Sequence, residues 1–207
     1  MTVTQALERI FAILAVAAGI GAVALWVGRF VGRTNPSVAQ IIEQFASARL
    51  WLGALVAAVA MGGSLYFSLG AHFVPCRLCW VQRGFMYPLV FLLAIGAWRR
   101  WAPAWRVGLV LATVGACVSV YHVILEHNPQ LESNVCAVST PCTQIWFKEF
   151  GFVTLPVMAL CGFAFVATVL ALPARPHFAR PLSARTDVSG ADTPGAPVRP
   201  LRPRSTS

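Results

Sequence analysis

Residues 50–98 read LWLGALVAAVAMGGSLYFSLGAHFVPCRLCWVQRGFMYPLVFLLAIGAW. Two apolar runs, 50–73 and 80–98, are joined by a few residues that contain Cys76-Arg77-Leu78-Cys79. A hydrocarbon core about 30 Å thick takes about 20 helical residues to cross, and each run comes close to or exceeds that length. A join this short makes the two helices antiparallel neighbours, with the Cys-x-x-Cys pair at the end where they meet. The stretch therefore reads as a membrane hairpin carrying a thiol pair at one surface.

Working outward, three more runs of comparable length appear at 10–27, 107–125 and 150–172. Ala102-Pro103-Ala104 breaks the chain between the third and fourth runs, and Pro173 and Pro176 end the last. The composition agrees, with 57% hydrophobic and 11% charged residues and a mean hydropathy of +0.69. A soluble domain carries roughly 25% charged residues. The fold class expected is all-α, a polytopic membrane helix bundle.

The net charge of +9 does not point to nucleic acid, because the basic residues gather at the ends of apolar runs and in the tail. Arg29, Arg33 and Arg49, then Arg99, Arg100 and Arg106, then six arginines from Arg175 to Arg204, fall on one side if all five runs cross. The other side holds Arg9, Arg77, Arg83 and Lys148. Cytoplasmic loops carry the excess of Lys and Arg, so the expected N-terminus and both cysteine loops are extracytoplasmic and the C-terminus cytoplasmic.

Ala22-Val23-Ala24 could be a signal-peptide cleavage site. However, the first run is long for a signal core and its strongest positive flank follows it, so residues 1–34 are read as a retained membrane helix. Residues 35–49 place Val38, Ile41, Ile42 and Phe45 at helical spacing, as an amphipathic segment at the inner interface would. Residues 50–172 form the core bundle. Gly108, Ala112 and Ala116, four apart in the fourth run, allow close helix approach. Residues 173–207, rich in Pro, Arg, Ser, Thr and Gly, read as a disordered basic cytoplasmic tail.

Six cysteines divide by position. Cys117 and Cys161 lie inside apolar runs and read as small hydrophobes. Cys76, Cys79, Cys136 and Cys142 lie at or beyond span ends on the side where disulfides persist. Two structural staples would account for them, but a Cys-x-x-Cys disulfide closes a small loop and suits redox cycling better. Position in the first helical turn favours a thiolate at Cys79, since unpaired N–H groups there amount to about half a positive charge. Arg83, one turn on, is either a cation for that thiolate and an acceptor, or a side chain reaching to headgroups. Tyr121-His122 comes at the same depth, where a histidine can hydrogen-bond an acceptor or relay a proton, or is an interfacial residue satisfied by a backbone carbonyl. Glu126 pairs with one of these or faces water. Four thiolates also make a zinc set, but such pairs belong to folded soluble modules, so no metal is expected.

Cys76-Arg-Leu-Cys79-Trp-Val-Gln-Arg83, Met86-Tyr87-Pro88, Tyr121-His122, Cys136…Pro141-Cys142 and Phe150-Gly-Phe-Val-Thr-Leu-Pro156 together resemble the DsbB-like disulfide bond formation proteins, with a short second loop of the BdbC type. The resemblance covers roughly residues 50–172 and implies a four-helix core, to which this chain adds an N-terminal transmembrane helix. It implies a thiol:quinone oxidoreductase of the bacterial cell (inner) membrane. Such a protein reoxidises an extracytoplasmic thioredoxin-fold partner of the DsbA/BdbD kind and passes the electrons to ubiquinone or menaquinone. By motif position, Cys76 and Cys79 are the quinone-side pair, with Cys79 the reacting thiolate, and Arg83 and His122 are the quinone-side residues. Cys136 and Cys142 are the shuttle pair, Cys136 meeting the partner and Cys142 exchanging with Cys76. An oxidant near about −120 mV cannot be kept oxidised by a glutathione pool near roughly −200 mV, so a stronger acceptor is required. Vitamin K epoxide reductase-like proteins share this chemistry, but their Cys-x-x-Cys follows the loop cysteines, the reverse of the order here. A non-enzymatic scaffold with fixed disulfides is the remaining alternative.

Overall fold

The computed structural model describes residues 2–131 and 141–173; Cys136 and the tail from residue 174 lie outside them. Among the described residues six α-helices follow in order: α1 (Val3–Val31), α2 (Pro36–Ser47), α3 (Arg49–Leu69), α4 (Arg77–Trp98), α5 (Ala104–His127) and α6 (Leu155–Leu170). Four of them, α1, α3, α4 and α5, are long and apolar enough to cross a membrane, and α6 is a shorter apolar helix of 16 residues. The protein is a multi-pass membrane helix bundle.

Local chemistry sets the helix ends. Thr2 and Gln5 form a reciprocal capping box at the start of α1. Asn35 caps α2 ahead of Pro36 at its first position. That helix buries Ile42 and Ala46 while Ile41 and Phe45 stay exposed, so its apolar residues serve both the bundle and its surroundings.

The last helix begins five residues later than the hydropathy suggests. Phe150 and Gly151 both take positive φ, 53° and 80°, in a tight turn closed by paired hydrogen bonds between Glu149 and Val153. Residues 150–154 are therefore spent on a turn despite their apolar side chains. At about 24 Å, α6 falls short of a full hydrocarbon core. Its C-terminal end is held from two sides: Arg29 Nη1 donates to the Ala171 carbonyl (3.0 Å) and Arg49 Nη1 to the Leu172 carbonyl (3.2 Å). Cations at orphan carbonyls favour the negative helix end.

The bundle packs through small residues. On α5, Gly108, Ala112, Gly115 and Ser119 line one buried face. Phe163 of α6 sits against Gly115 so closely that a Cβ there would lie 2.3 Å from its ring. Phe163 itself is fully buried, with Leu89 and Leu93 of α4 and Val166 of α6 in the same core. The exterior is apolar as well: Ile20, Val23, Phe91, Ile95 and Val110 are all exposed, as lipid-facing residues are. Cys117 lies on this outer surface and Cys161 is half-buried. Neither is in the core, because the hydropathy of a span does not say which of its faces meets other helices.

The ends of the helices sort into two sets. The α3–α4 connection, the C-terminus of α5 and the N-terminus of α6 meet at one end. The N-terminus of α1 joins them through an Arg9–Glu149 ion pair at 3.7 Å. Arg29, Arg49 and the α4–α5 turn lie at the other.

Candidate thiol–disulfide site

The chain leaves α3 at Gly70, turns through His72 with φ 56°, and enters α4 at Cys76. Cys76 is the N-cap residue. Its backbone is extended, and its sulfur accepts the Cys79 N–H at 3.3 Å, the role that a serine or aspartate oxygen fills at other helices. The one-turn spacing of Cys-x-x-Cys then sets the two sulfurs 2.8 Å apart. Both thiols are free. The helix-end N–H thus serves Cys76 rather than Cys79, because the cap residue's side chain folds back over the first turn.

The two sulfurs face different surroundings. Cys76 is buried, in one apolar cluster with Leu78, Leu125 and Cys142. His122, 2% exposed, places Nε2 at 3.7 Å from the Cys76 sulfur and 3.1 Å from the Cys142 carbonyl oxygen. Cys142 is disulfide-bonded. The Cys142 carbonyl can only accept, so Nε2 donates to it, and Nδ1 has no hydrogen-bond partner among the described residues. Glu126, also buried, accepts from Thr154 Oγ1 at 2.7 Å, which ties the end of α5 to the start of α6.

Cys79 lines a cavity of about 340 Å³ with Arg83, Gln82, Ser64 and Ser68, and Cys76 does not. Arg83 is drawn inward: Nε donates to Ser64 Oγ (2.7 Å), and Nη2 donates to the Ser64 carbonyl (2.9 Å) and to Ser68 Oγ. Its guanidinium also lies over the Trp80 ring at 5.2 Å. These partners, not lipid headgroups, account for an arginine so close to the membrane. Gln82 is buried and donates to Ser119 Oγ at 3.0 Å, which passes the bond on to the Gly115 carbonyl. Above the cavity, Phe73 stacks between Phe67 (5.9 Å) and Trp146 (4.9 Å). Trp146 is only four residues past Cys142, so the loop that brings the disulfide also roofs the cavity.

Residues 46–173 match the family model "Disulfide bond formation protein DsbB". The chain belongs to the DsbB family. It is 36% identical over 124 residues to Disulfide bond formation protein C of Bacillus subtilis, covering 59% of this chain and 90% of that protein. It is 37% identical over 126 residues to Probable disulfide formation protein C 1 of Bacillus anthracis, covering 60% and 88%. It is 40% identical over 117 residues to Probable disulfide formation protein C of Halalkalibacterium halodurans, covering 56% and 83%. No solved structure matches significantly. The DsbB match takes in α3 to α6 with both cysteine pairs, and leaves out α1 and most of α2.

Of the site residues expected from sequence, the structure brings Cys76, Cys79, His122 and Cys142 together, and sets Arg83 on the cavity side of Cys79. His122 does not share that cavity; it stands against Cys76 and the Cys142 end. Cys136 lies outside the described residues. The three donor atoms of Cys76, Cys79 and a His122 ring nitrogen fall within 4.8 Å of one another, a set that a thiophilic metal ion would fit. The disulfide at Cys142 and the cavity at Cys79 accord instead with thiol exchange. Sequence reading did not single out Ser64, Ser68, Gln82 or Ser119. The first two, four apart on α3, were open to detection as a polar pair on one face of an apolar helix.

A titration follows from this geometry. The Cys79 thiol beside it, and then the His122 ring, hold the Cys76 thiol down to about 4 from an ordinary 9.0, against the upward push of burial. The reduced protein is expected to keep one thiolate on acidification until pH falls through about 4. Ultraviolet thiolate absorbance measures this. Cys79→Ala removes the largest cause and should move the transition upward, and an unmoved transition would refute the assignment.

Proposed function

We propose that the protein is a thiol:quinone oxidoreductase that generates disulfides for exported proteins. The observation that carries this reading is the two-sided thiol pair. Cys76 touches His122 and the buried Cys142 end, whereas Cys79 opens, with Arg83, into an apolar cavity. A pair so placed can take electrons on one face and give them up on the other.

In the proposed sequence, a thiolate of an extracytoplasmic thioredoxin-fold partner attacks Cys136 of the Cys136–Cys142 disulfide and displaces Cys142 as a thiolate. The partner's second thiolate then breaks the mixed disulfide and leaves with its own disulfide formed. Cys142 attacks Cys76 of the Cys76–Cys79 disulfide and frees Cys79 beside Arg83. Cys136 resolves the Cys76–Cys142 bond, so the shuttle disulfide is restored and Cys76 and Cys79 are left reduced. Re-forming the Cys76–Cys79 disulfide gives up two electrons, which a quinone, ubiquinone or menaquinone, would accept with two protons drawn from the surrounding water, leaving as quinol. His122 Nε2, 3.7 Å from the Cys76 sulfur, is the ring nitrogen placed to steady that sulfur during exchange. Positive-inside bias supports an extracytoplasmic cysteine end, where such a partner would work.

The reading is tested with the purified protein, a reduced thioredoxin-fold partner and a soluble quinone analogue. One quinone should be reduced for each partner disulfide formed. Partner oxidation without any loss of quinone would exclude the acceptor.

A further inference from the structure

The helix outside the DsbB match forms one wall of the cavity. Phe11, Leu14, Ala15 and Ala18 of α1 all line it, and their spacing of three, four and seven residues makes a single helical stripe. The DsbB match begins only at residue 46. α1 is fixed there by close packing: Gly19 leaves room for the Cys161 side chain of α6 and Gly21 for Phe165. Phe11 crosses to α3, with its ring over Gly63 and edge-on to Phe67 at 5.7 Å. A Cβ at Gly63 would lie 2.7 Å from that ring, so Gly63 is what lets Phe11 close the space.

The cavity has two unlike ends. Cys79, Arg83, Ser64 and Ser68 give it a polar head near the thiols, and along α3 it continues as far as Leu55 between apolar walls. From Ser68 to Leu55 a helix rises about 20 Å, too long for a quinone ring alone. We propose that the α1 stripe is the wall against which the isoprenoid tail of the quinone lies, so that α1 selects the acceptor by its tail. This rests on the quinone reading above. Ala15 and Ala18 are the selecting positions, since their small side chains leave the width that a tail occupies.

The test uses Ala15→Phe and Ala18→Phe in the full-length protein, with Ile20→Phe on the exposed face of α1 as control. Two quinones with the same ring are compared, one carrying a prenyl tail and one without it. For the tailed quinone KM should rise about tenfold, the equivalent of about two methylenes losing burial. For the tail-less quinone KM should hold, as should both values in Ile20→Phe. The same fold-change in KM for both quinones, or no change for either, in both alanine variants would overturn the role of α1 while leaving the quinone reading intact. No reduction of either quinone by the unsubstituted protein would instead remove the quinone reading. Should the phenylalanines prevent folding, a prenyl-tail photolabel on the unsubstituted protein decides the matter. Label on the peptide containing Phe11 to Ala18 supports the proposal, and label confined to α3, α4 and α6 overturns it.

Discussion

Cys79→Ser is expected to reduce quinone turnover by at least about a thousandfold, since no second thiol remains to complete the exchange at Cys76. The same variant should still oxidise one equivalent of partner, because the shuttle disulfide at Cys142 does not depend on Cys79. The expected record is a single burst of partner disulfide followed by arrest. Cys136→Ser should behave in the opposite way. Partner oxidation stops, while a small dithiol that reaches Cys76 directly still drives quinone reduction. A stopped-flow trace of partner oxidation beside quinone absorbance distinguishes the two. Continuing quinone reduction in Cys79→Ser would end the assignment of Cys79 as the electron-donating thiol. A scaffold with static disulfides predicts no turnover in any form of the protein, including the unsubstituted one.

The helices were legible because membrane-spanning segments must satisfy their own backbone hydrogen bonds, so hydropathy and length nearly suffice to find them. That logic stops at the helix ends and at the helix faces. Phe150 and Gly151 look like the start of a span, yet their positive φ values build a turn, since apolar character does not report backbone conformation. Cys117 illustrates a second limit: a span says nothing of which face meets lipid, and this thiol turned out to be exposed.

In the site, spacing placed Cys76 and Cys79 together and put Arg83 one turn on, because those relations are local to one helix. The division of labour between the sulfurs was not local. It depends on α5 bringing His122 against Cys76 and on α3 bringing Ser64 and Ser68 against Arg83. Arg83 on α4 and His122 on α5 share a depth but meet different partners, His122 the Cys76 sulfur and Arg83 the cavity at Cys79. The helix-end N–H acts one turn earlier than Cys79, since the sulfur that receives it is the cap at Cys76.

Arg83→Gln tests the other half of the site, and its expected result is a rise in quinone KM of roughly ten- to a hundredfold, from loss of about 1.5–3 kcal/mol of charge-assisted hydrogen bonding. The three bonds that hold Arg83 to Ser64 and Ser68 use Nε and Nη2, which leaves Nη1 for an oxygen of the acceptor. A quinone gains negative charge as it is reduced, so kcat should fall as well, because a fixed cation stabilises the reduced form more than the oxidised one. Arg83→Lys keeps the charge but loses the planar fork, and its KM should fall between those of the other two proteins. The rival account is that Arg83 only ties α4 to α3. A purely structural arginine would lower stability and slow partner oxidation together with quinone reduction. An acceptor-binding arginine leaves the first burst of partner oxidation at its normal rate. Ser64→Ala with Ser68→Ala separates the roles further, since it cuts the tether and keeps the cation. If that double variant matches Arg83→Gln in KM, orientation by the serines carries the effect; if it retains most of the affinity, the guanidinium charge does. Unchanged KM in Arg83→Gln would remove Arg83 from the acceptor site altogether.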